Sequence, residues 1–352
     1  MVAMEIKEWN RLIEAWINSS ERQSLTIAAR IAGMLTILGA GYIIHDIVKD
    51  AARRKSTKNR IIFLMSSCDF LNALVHATIG PAMVPKGIGV PGAVGSQLTC
   101  EVQGFVANIT GMASGSYNCS LALCHLLMVR YEYSDERLRK LEPYFLYLPI
   151  IYSLVVAISG LPFGIYNYYG TYSCFMCASP LYCDKPESPI ECDRGELYIY
   201  WLYLIGVVVC IQACAIIFCM VKMYTAVLQR EQSGDRFRLF ASRSSFNVPR
   251  PNVERNRTLS NTIGIQGLWY SGAFLFTFVP PMIFVLWWQN YWANLIGLFT
   301  FHLMGFTNAV IYVRPRFLKF RRDFPSLDIG LSLWCTLVRK RPAPVDGMYF
   351  PE

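Results

Sequence analysis

Seven long apolar stretches constrain this chain more than any other feature. They cover residues 31–48, 61–84, 102–129, 144–165, 197–227, 262–288 and 291–313. Each reaches or approaches the roughly 20 residues a helix needs to cross a bilayer. Their interiors hold almost no Lys, Arg, Asp or Glu. An all-apolar helix turns its side chains outward only into lipid, where its backbone polar groups bond one another. The fold class expected is an all-α membrane protein, a seven-transmembrane helix bundle. Seven spans and six loops use nearly all of the 352 residues, leaving no room for a second globular domain.

The net charge of +9 does not point to nucleic acid, because of where the charges lie. Of 33 Lys and Arg, 25 fall after spans one, three and five and in the tail. Seven fall in the N-terminal stretch and after spans two, four and six, and Lys222 sits at the inner end of span five. This bias follows the positive-inside rule and places the N-terminus outside and the C-terminus in the cytosol. Lipid headgroups are the expected partners of the basic runs. Residues 1–24 are polar and lack the apolar core of a cleavable signal, so span one is expected to serve as the uncleaved signal.

The expected layout is an extracellular segment at 1–25, the membrane domain at 26–313, an amphipathic surface helix at 314–323 and a cytoplasmic tail at 324–352. Phe317 and Phe320 stand three apart among basic residues in the surface helix, which suits an inner leaflet. Residues 228–261 are rich in Arg and Ser, lack an apolar pattern and are expected to form a flexible loop. Asn18 opens a glycosylation sequon on the outer side, and Cys335 is a candidate for palmitoylation. Five of the 12 cysteines face the oxidising side: Cys100, Cys174, Cys177, Cys183 and Cys192. They allow two disulfides and one free thiol. No cysteine spacing suits a metal, and none is expected.

Polar groups inside the spans are costly and therefore informative. Asp69 stands nine residues into span two, about 12 Å deep, and needs a partner, a proton or a cation. Asn308 and Tyr312 close span seven at a comparable depth. Pro280 and Pro281 interrupt span six and are expected to kink it.

These residues together resemble the rhodopsin-like pattern of G protein-coupled receptors: an Asp in span two, Cys100 opening span three, a cysteine-bearing second outer loop, an aromatic before the prolines of span six, and N-x-x-x-Y ending span seven. Other motifs resemble the cyclic-AMP-receptor-like group of protists, namely Cys174-x5-Pro180-x2-Cys183, Cys192-Asp-Arg194-Gly195, Gln266-Gly-Leu-Trp-Tyr270 and Tyr312-Val-Arg314-Pro315. The resemblance covers residues 25–325. It implies an external ligand, coupling to a heterotrimeric G protein at the plasma membrane, and no enzymatic activity. It also implies a Cys100–Cys174 disulfide, with Cys183–Cys192 beside it and Cys177 free, although Cys174 and Cys177 can exchange roles.

Phe278 stands where the family usually has a toggle tryptophan. Ala309 replaces the usual Pro after the span-seven Asn. The D/E-R-Y triplet is missing, which leaves His125 or Arg130 as substitute switches. Counting from Cys100, the family's ligand-contact position falls at Ala107, beside Asn108. Gln103, Thr110, Trp201, Tyr203, Phe278, Trp287, Trp288, Trp292 and His302 are further candidates, with the aromatics equally suited to an interfacial belt. No acid lies near Ala107, so a cationic amine lacks its counter-ion. Asp69 is expected to share a network with Asn308, directly or through water or sodium. Opening at Pro280-Pro281 is expected to expose a cationic mouth formed by Arg130, Tyr131, Arg137, Lys222, Arg230, Arg257 and Arg314.

Three other classes compete. A retinal protein needs a Schiff-base lysine in span seven, and residues 291–313 contain none. A small transporter or channel predicts repeats or several intramembrane charges, and the spans show one deep acid. An intramembrane enzyme predicts H-E-x-x-H or paired acids, and neither occurs. A receptor-like protein that has lost coupling is the remaining alternative.

Overall fold

The computed structural model describes residues 19–185, 188–243, 251–286 and 290–339, with side chains throughout these except at 230–243, 251–263 and 282–286. The chain is helical and builds a bundle. Its helices are α1 (Ser20–Lys49), α2 (Thr57–Asn72), α3 (Gln97–Arg130), α4 (Asp135–Gly160), α5 (Tyr198–Arg243), α6 (Pro251–Leu286), α7 (Tyr291–His302), α8 (Met304–Asp323) and α9 (Ile329–Val338). Among the described residues, α1, α2 with its extension, α4 and α5 are long and apolar enough to cross a membrane. The bent pair α7–α8 makes a fifth if it is one span. Helix α6 has its side chains described only over residues 264–281, and the remaining long helix, α3, is more polar. That suits α3, which packs against α2, α4, α5 and α6 at the centre of the bundle. Two ends are distinguished below, the disulfide end and the basic end.

Helix α1 begins well before the apolar stretch that predicts it. Ser19 accepts the N–H of Arg22 at 3.2 Å, which satisfies one of the donors a helix start leaves free. Span two departs from a single helix. After Asn72 the coil widens to a π turn over Ala73–Thr78, where Ile79 N–H reaches back five residues to Leu74 O at 2.9 Å. A one-turn helix, Gly80–Met83, follows.

Span seven also departs from expectation, for a visible reason. It breaks at Leu303, and α7 and α8 meet at 49°. In an unbroken helix Phe306 N–H would bond His302 O. Here Thr36 of α1 is inserted between them: its Oγ1 donates to His302 O at 2.5 Å and accepts from Phe306 N–H at 3.3 Å. Insertion of a side chain into the backbone ladder is a known cause of kinks. Gly305 permits the approach, since a Cβ there would lie 2.6 Å from Thr36 Cγ2.

The basic end carries three corrections. Residues 314–323 are not a separate helix, because α8 runs unbroken through Pro315 to Asp323. The apolar tail patch is itself a helix, α9, which buries Ser332, Cys335 and Thr336 and exposes Ile329, Leu331, Leu333 and Trp334. Cys335 therefore faces protein, not a modifying enzyme. The expected flexible loop is largely helical, with α5 continuing to Arg243 and α6 starting at Pro251. Asn18 lies outside the described residues.

At the disulfide end, residues between α4 and α5 fold into a hairpin. Strands β1 (Tyr166–Tyr168) and β2 (Cys174–Met176) pair antiparallel, with Tyr166 opposite Met176. Tyr166, Tyr168, Tyr172, Cys174 and Met176 are buried, so the hairpin plugs the bundle instead of lying over it.

Candidate functional site

Two disulfides hold the hairpin. Cys100 at the start of α3 is joined to Cys174 of β2, Cα to Cα 5.3 Å, and Cys183 is joined to Cys192. Cys177 is a free, buried thiol. Burial pushes it up to about 12, with nearby Asp184 adding to the effect.

Several expected ligand contacts hold this plug in place. Gln103 accepts Cys174 N–H at 2.9 Å and donates to Val75 O at 3.0 Å. Asn108 Nδ2 donates to the Tyr166 hydroxyl at 2.9 Å, and that hydroxyl donates to Ala157 O at 2.8 Å. Tyr172 and His302 Nε2 share a 2.5 Å hydrogen bond. Ala107 O and Thr110 Oγ1 both accept from Asn72 Nδ2, at 3.1 and 3.0 Å, which ties α3 to α2. Buried polar groups need such partners, and the hairpin supplies them.

Two groups sequence reasoning missed belong here. His76, on the π turn, is buried with both ring nitrogens unpartnered among the described residues. Its ring lies 5.2 Å from His302, and Tyr172 and Phe175 are near it. Asn108 Oδ1 is likewise unpartnered. Arg22 is buried too. Its Nη1 donates to the Tyr168 hydroxyl at 3.0 Å and Thr171 O at 2.9 Å, with no carboxylate among the described residues.

The aromatic candidates divide. Phe278 stacks on Phe274 at 4.4 Å and meets Phe301 edge-on at 5.9 Å, inside the bundle between α3, α6 and α7. Trp201 lies at the α4–α5 seam, its Nε1 donating to Ser159 Oγ at 3.0 Å. Tyr203 is 68% exposed and Trp292 67%, so both point away from the interior. At span ends that is the position of an interfacial belt. Trp287 and Trp288 lie outside the described residues.

Deeper in the bundle, Asp69 is fully buried. Ser114 of α3 donates to its Oδ1 at 2.5 Å, and Asn308 of α8 donates to its Oδ2 at 2.9 Å. Three helices thus meet at one carboxylate. The bend at Leu303 carries Asn308 there, and Gly305 lets Asp69 approach, a Cβ being 3.1 Å from Asp69 Cβ.

Nearer the basic end the second acid is Asp46 of α1, which charge patterning passes over as a span-end residue. Tyr312 donates to its Oδ2 at 2.8 Å, and Arg53 donates to the Tyr312 hydroxyl at 2.8 Å. Arg53 also pairs with Asp46 itself. Arg316 reaches Asp46 at 3.1 Å, and Arg339, just past α9, at 2.5 Å. One carboxylate therefore joins α1, the α1–α2 turn, α8 and the segment just past α9.

The chain is similar over this whole architecture to squid rhodopsin, whose crystal structure superposes with a TM-score of 0.60 over 92% of each chain at 16% identity. The fold is rhodopsin-like. No family model matches the chain, and no curated protein matches it by sequence. At this identity the likeness concerns fold alone.

Within the rhodopsin-like bundle the expected cytosolic switches are dispersed. His125 is buried against the Tyr270 ring of α6 at 6.2 Å. A Cβ on Gly267 would lie 3.0 Å from His125 Cβ, so α3 and α6 are in close contact here. Arg130 is exposed and lies over the Tyr131 ring at 6.0 Å. Arg137 lies over Tyr133 at 5.9 Å. Lys222 lies over exposed Phe218 at 5.6 Å, on the outer side of α5 and away from the expected mouth. Two other contacts reach α6: Lys58 Nζ donates to Gln266 Oε1 at 3.3 Å, and Arg314 lies over Trp269 at 4.8 Å. Pro280 and Pro281 lie within a continuous α6. The side chains of Arg230 and Arg257 lie outside the described residues.

Proposed function

We propose that this protein is a seven-helix G protein-coupled receptor of the plasma membrane, with its N-terminus outside and its C-terminus in the cytosol. The observation that carries the proposal is the rhodopsin-like fold over 92% of the chain. On this reading α3 is a span whose polarity is affordable because it faces protein, α6 is a span, and α7 with α8 is one bent span. The finer kinship with the cyclic-AMP-receptor-like group rests on the loop and span-six motifs alone.

The ligand enters at the disulfide end. Gln103, Asn108 Nδ2 and His302 already serve the hairpin, so a ligand that leaves it in place uses the groups beside it. His76 and Asn108 Oδ1 have bonds left to make, as do Arg22 Nε, Thr171 Oγ1 and Ser173 Oγ. They favour a neutral polar ligand that both donates and accepts. The missing acid beside Ala107 disfavours a cationic amine, and the missing span-seven lysine disfavours a retinal Schiff base. For sodium, Asp69 and Ser114 offer oxygen donors, and Asn308 offers another if its amide turns over. These three residues would hold the ion.

Signalling takes place at the basic end. Opening α6 about Pro280-Pro281 breaks the Lys58–Gln266 hydrogen bond and lifts Trp269 from Arg314. A cleft beside Arg130 and Arg137 then suits a partner helix ending in a carboxylate. A ligand drives this only by its differential affinity for the open state, and about 5.5 kcal/mol converts a 1:99 population to 99:1. The test is guanine-nucleotide exchange on a panel of heterotrimeric G proteins with the purified protein in lipid. Exchange that is faster than without receptor, and slowed by Pro280→Ala/Pro281→Ala, supports the proposal. No stimulation of any member, with a native ligand bound, favours a receptor-like protein that does not couple. The exposed Arg130, free of any D/E-R-Y partner, makes that the second reading.

A further inference from the structure

Beside α2 and α4 at the basic end lies an open cleft of about 560 Å³. Its polar rim is Lys55, Arg60, Arg139 and Glu142, and Leu146 and Tyr147 line its apolar side. The charges are not equally available. Glu142 is buried, accepts from Thr57 Oγ1 at 2.8 Å and pairs with Arg60. Arg60 and Glu142 therefore neutralise each other. Lys55 and Arg139 are exposed and have no ion-pair partner among the described residues. Arg139 Nη2 donates to Lys55 O at 3.5 Å, which holds the two cations on one rim although Lys55 belongs to the α1–α2 turn and Arg139 to α4.

From this rim an apolar track leads along α4. Tyr147, Ile151, Leu154 and Ile158 recur at helical spacing and are all exposed. A ligand that uses both features is anionic at one end and apolar along its length. Inorganic phosphate would use the rim and leave the track bare. We propose that this cleft binds an anionic phospholipid of the cytoplasmic leaflet, with the phosphate between Lys55 and Arg139 and an acyl chain along Tyr147 and Ile151. The proposal rests on the sidedness given above, since the basic end must face the anionic leaflet. It does not depend on coupling to a G protein.

Native mass spectrometry of the full chain tests this, with phosphatidylserine titrated against phosphatidylcholine. The wild type should retain one phosphatidylserine preferentially. Lys55→Gln/Arg139→Gln should weaken that retention roughly thirty-fold, the sum of two surface cations. Lys319→Gln/Arg322→Gln, elsewhere on the basic end, should leave it unchanged. Both altered pairs are on exposed chains, and unchanged thermal unfolding in phosphatidylcholine verifies the fold. Glycerophosphoserine, the same headgroup without chains, should fail to displace the lipid. Equal retention by the Lys55/Arg139 variant, or equal loss in the Lys319/Arg322 variant, overturns the site. Displacement by glycerophosphoserine as effective as that by lipid overturns the lipid in favour of a soluble phosphate. If coupling fails while this retention holds, only the signalling proposal is lost.

Discussion

The two ends of the bundle are held together by different chemistry. At the disulfide end a covalent link joins Cys100 to Cys174, and neutral hydrogen bonds from Gln103, Asn108 and Tyr172, with one buried charged donor in Arg22, seat a buried hairpin. An ion pair, Arg194 with Glu101 at 2.6 Å, lies on its flank. At the basic end Asp46 gathers Arg53, Arg316, Arg339 and Tyr312, while Lys58 and Arg314 make single contacts to α6. Covalent and neutral buried contacts respond little to salt or to a charged partner. Ion pairs near solvent respond to both. The comparison teaches that the disulfide end is built to keep its shape and the basic end to exchange partners.

The largest effect expected is from Cys100→Ser. It removes the link between α3 and the hairpin and should cost about 2–5 kcal/mol, read as a large fall in thermal midpoint in detergent and equal at low and high salt. A strong salt dependence of this loss would erase the contrast between the ends. Tyr166→Phe comes next. It leaves Ala157 O without its hydroxyl donor and Asn108 Nδ2 without its acceptor, at about 1–3 kcal/mol. Adding Asn108→Leu should recover part of the loss, and a purely additive double variant would show that the two side chains are not coupled.

Asp46→Asn should have a smaller effect on stability, about 1 kcal/mol, because its arginines are partly exposed and gain water when released. Its signature is different. Amide hydrogen exchange in Ile329–Val338 should accelerate while exchange in the hairpin stays fixed, and the salt dependence of the tail should weaken to that of the remaining Arg339–Asp50 pair. Faster exchange in the hairpin would mean that the ends are coupled.

The smallest effect concerns Cys177. Burial raises its thiol from 9.0 to about 12, so the folded protein holds this proton more tightly than the unfolded chain. Its contribution to stability is complete below about pH 9 and is lost as pH rises toward 12. Iodoacetamide at pH 8 should therefore leave Cys177 unmodified in the folded protein and alkylate it once the protein is denatured. Ready modification of Cys177 would show a loose hairpin.

Much of this arrangement is legible in the sequence, and the exceptions have a common cause. Helices are visible because lipid demands long apolar runs. The meeting of Asp69 with Asn308 is visible because a buried carboxylate needs a partner. The cysteines announce the hairpin, but not that its tyrosines fill the bundle, since Tyr166 and Tyr172 read equally well as surface or core. The break at Leu303 depends on Thr36, more than 260 residues earlier, and no local pattern around Leu303 encodes it. Asp46 sits at a span end, where charge reads as topology, although an acid among basic loops was a usable signal. Tyr203 was misplaced because an aromatic at a span end fits an interior and a belt alike.

The central claim is that opening occurs at the basic end while the disulfide end stays fixed. Pulsed electron paramagnetic resonance distances between spin labels test it most directly, with Cys210 and Cys214 replaced by Ser. One label pair, Arg54→Cys with Ile265→Cys, spans the first inner turn and α6 at the basic end. The other, Val94→Cys with Trp292→Cys, spans the disulfide end. On adding ligand and nucleotide-free G protein, the first distance should lengthen by several ångström and the second should keep its distribution. A fixed first distance together with a shifting second one would contradict the account.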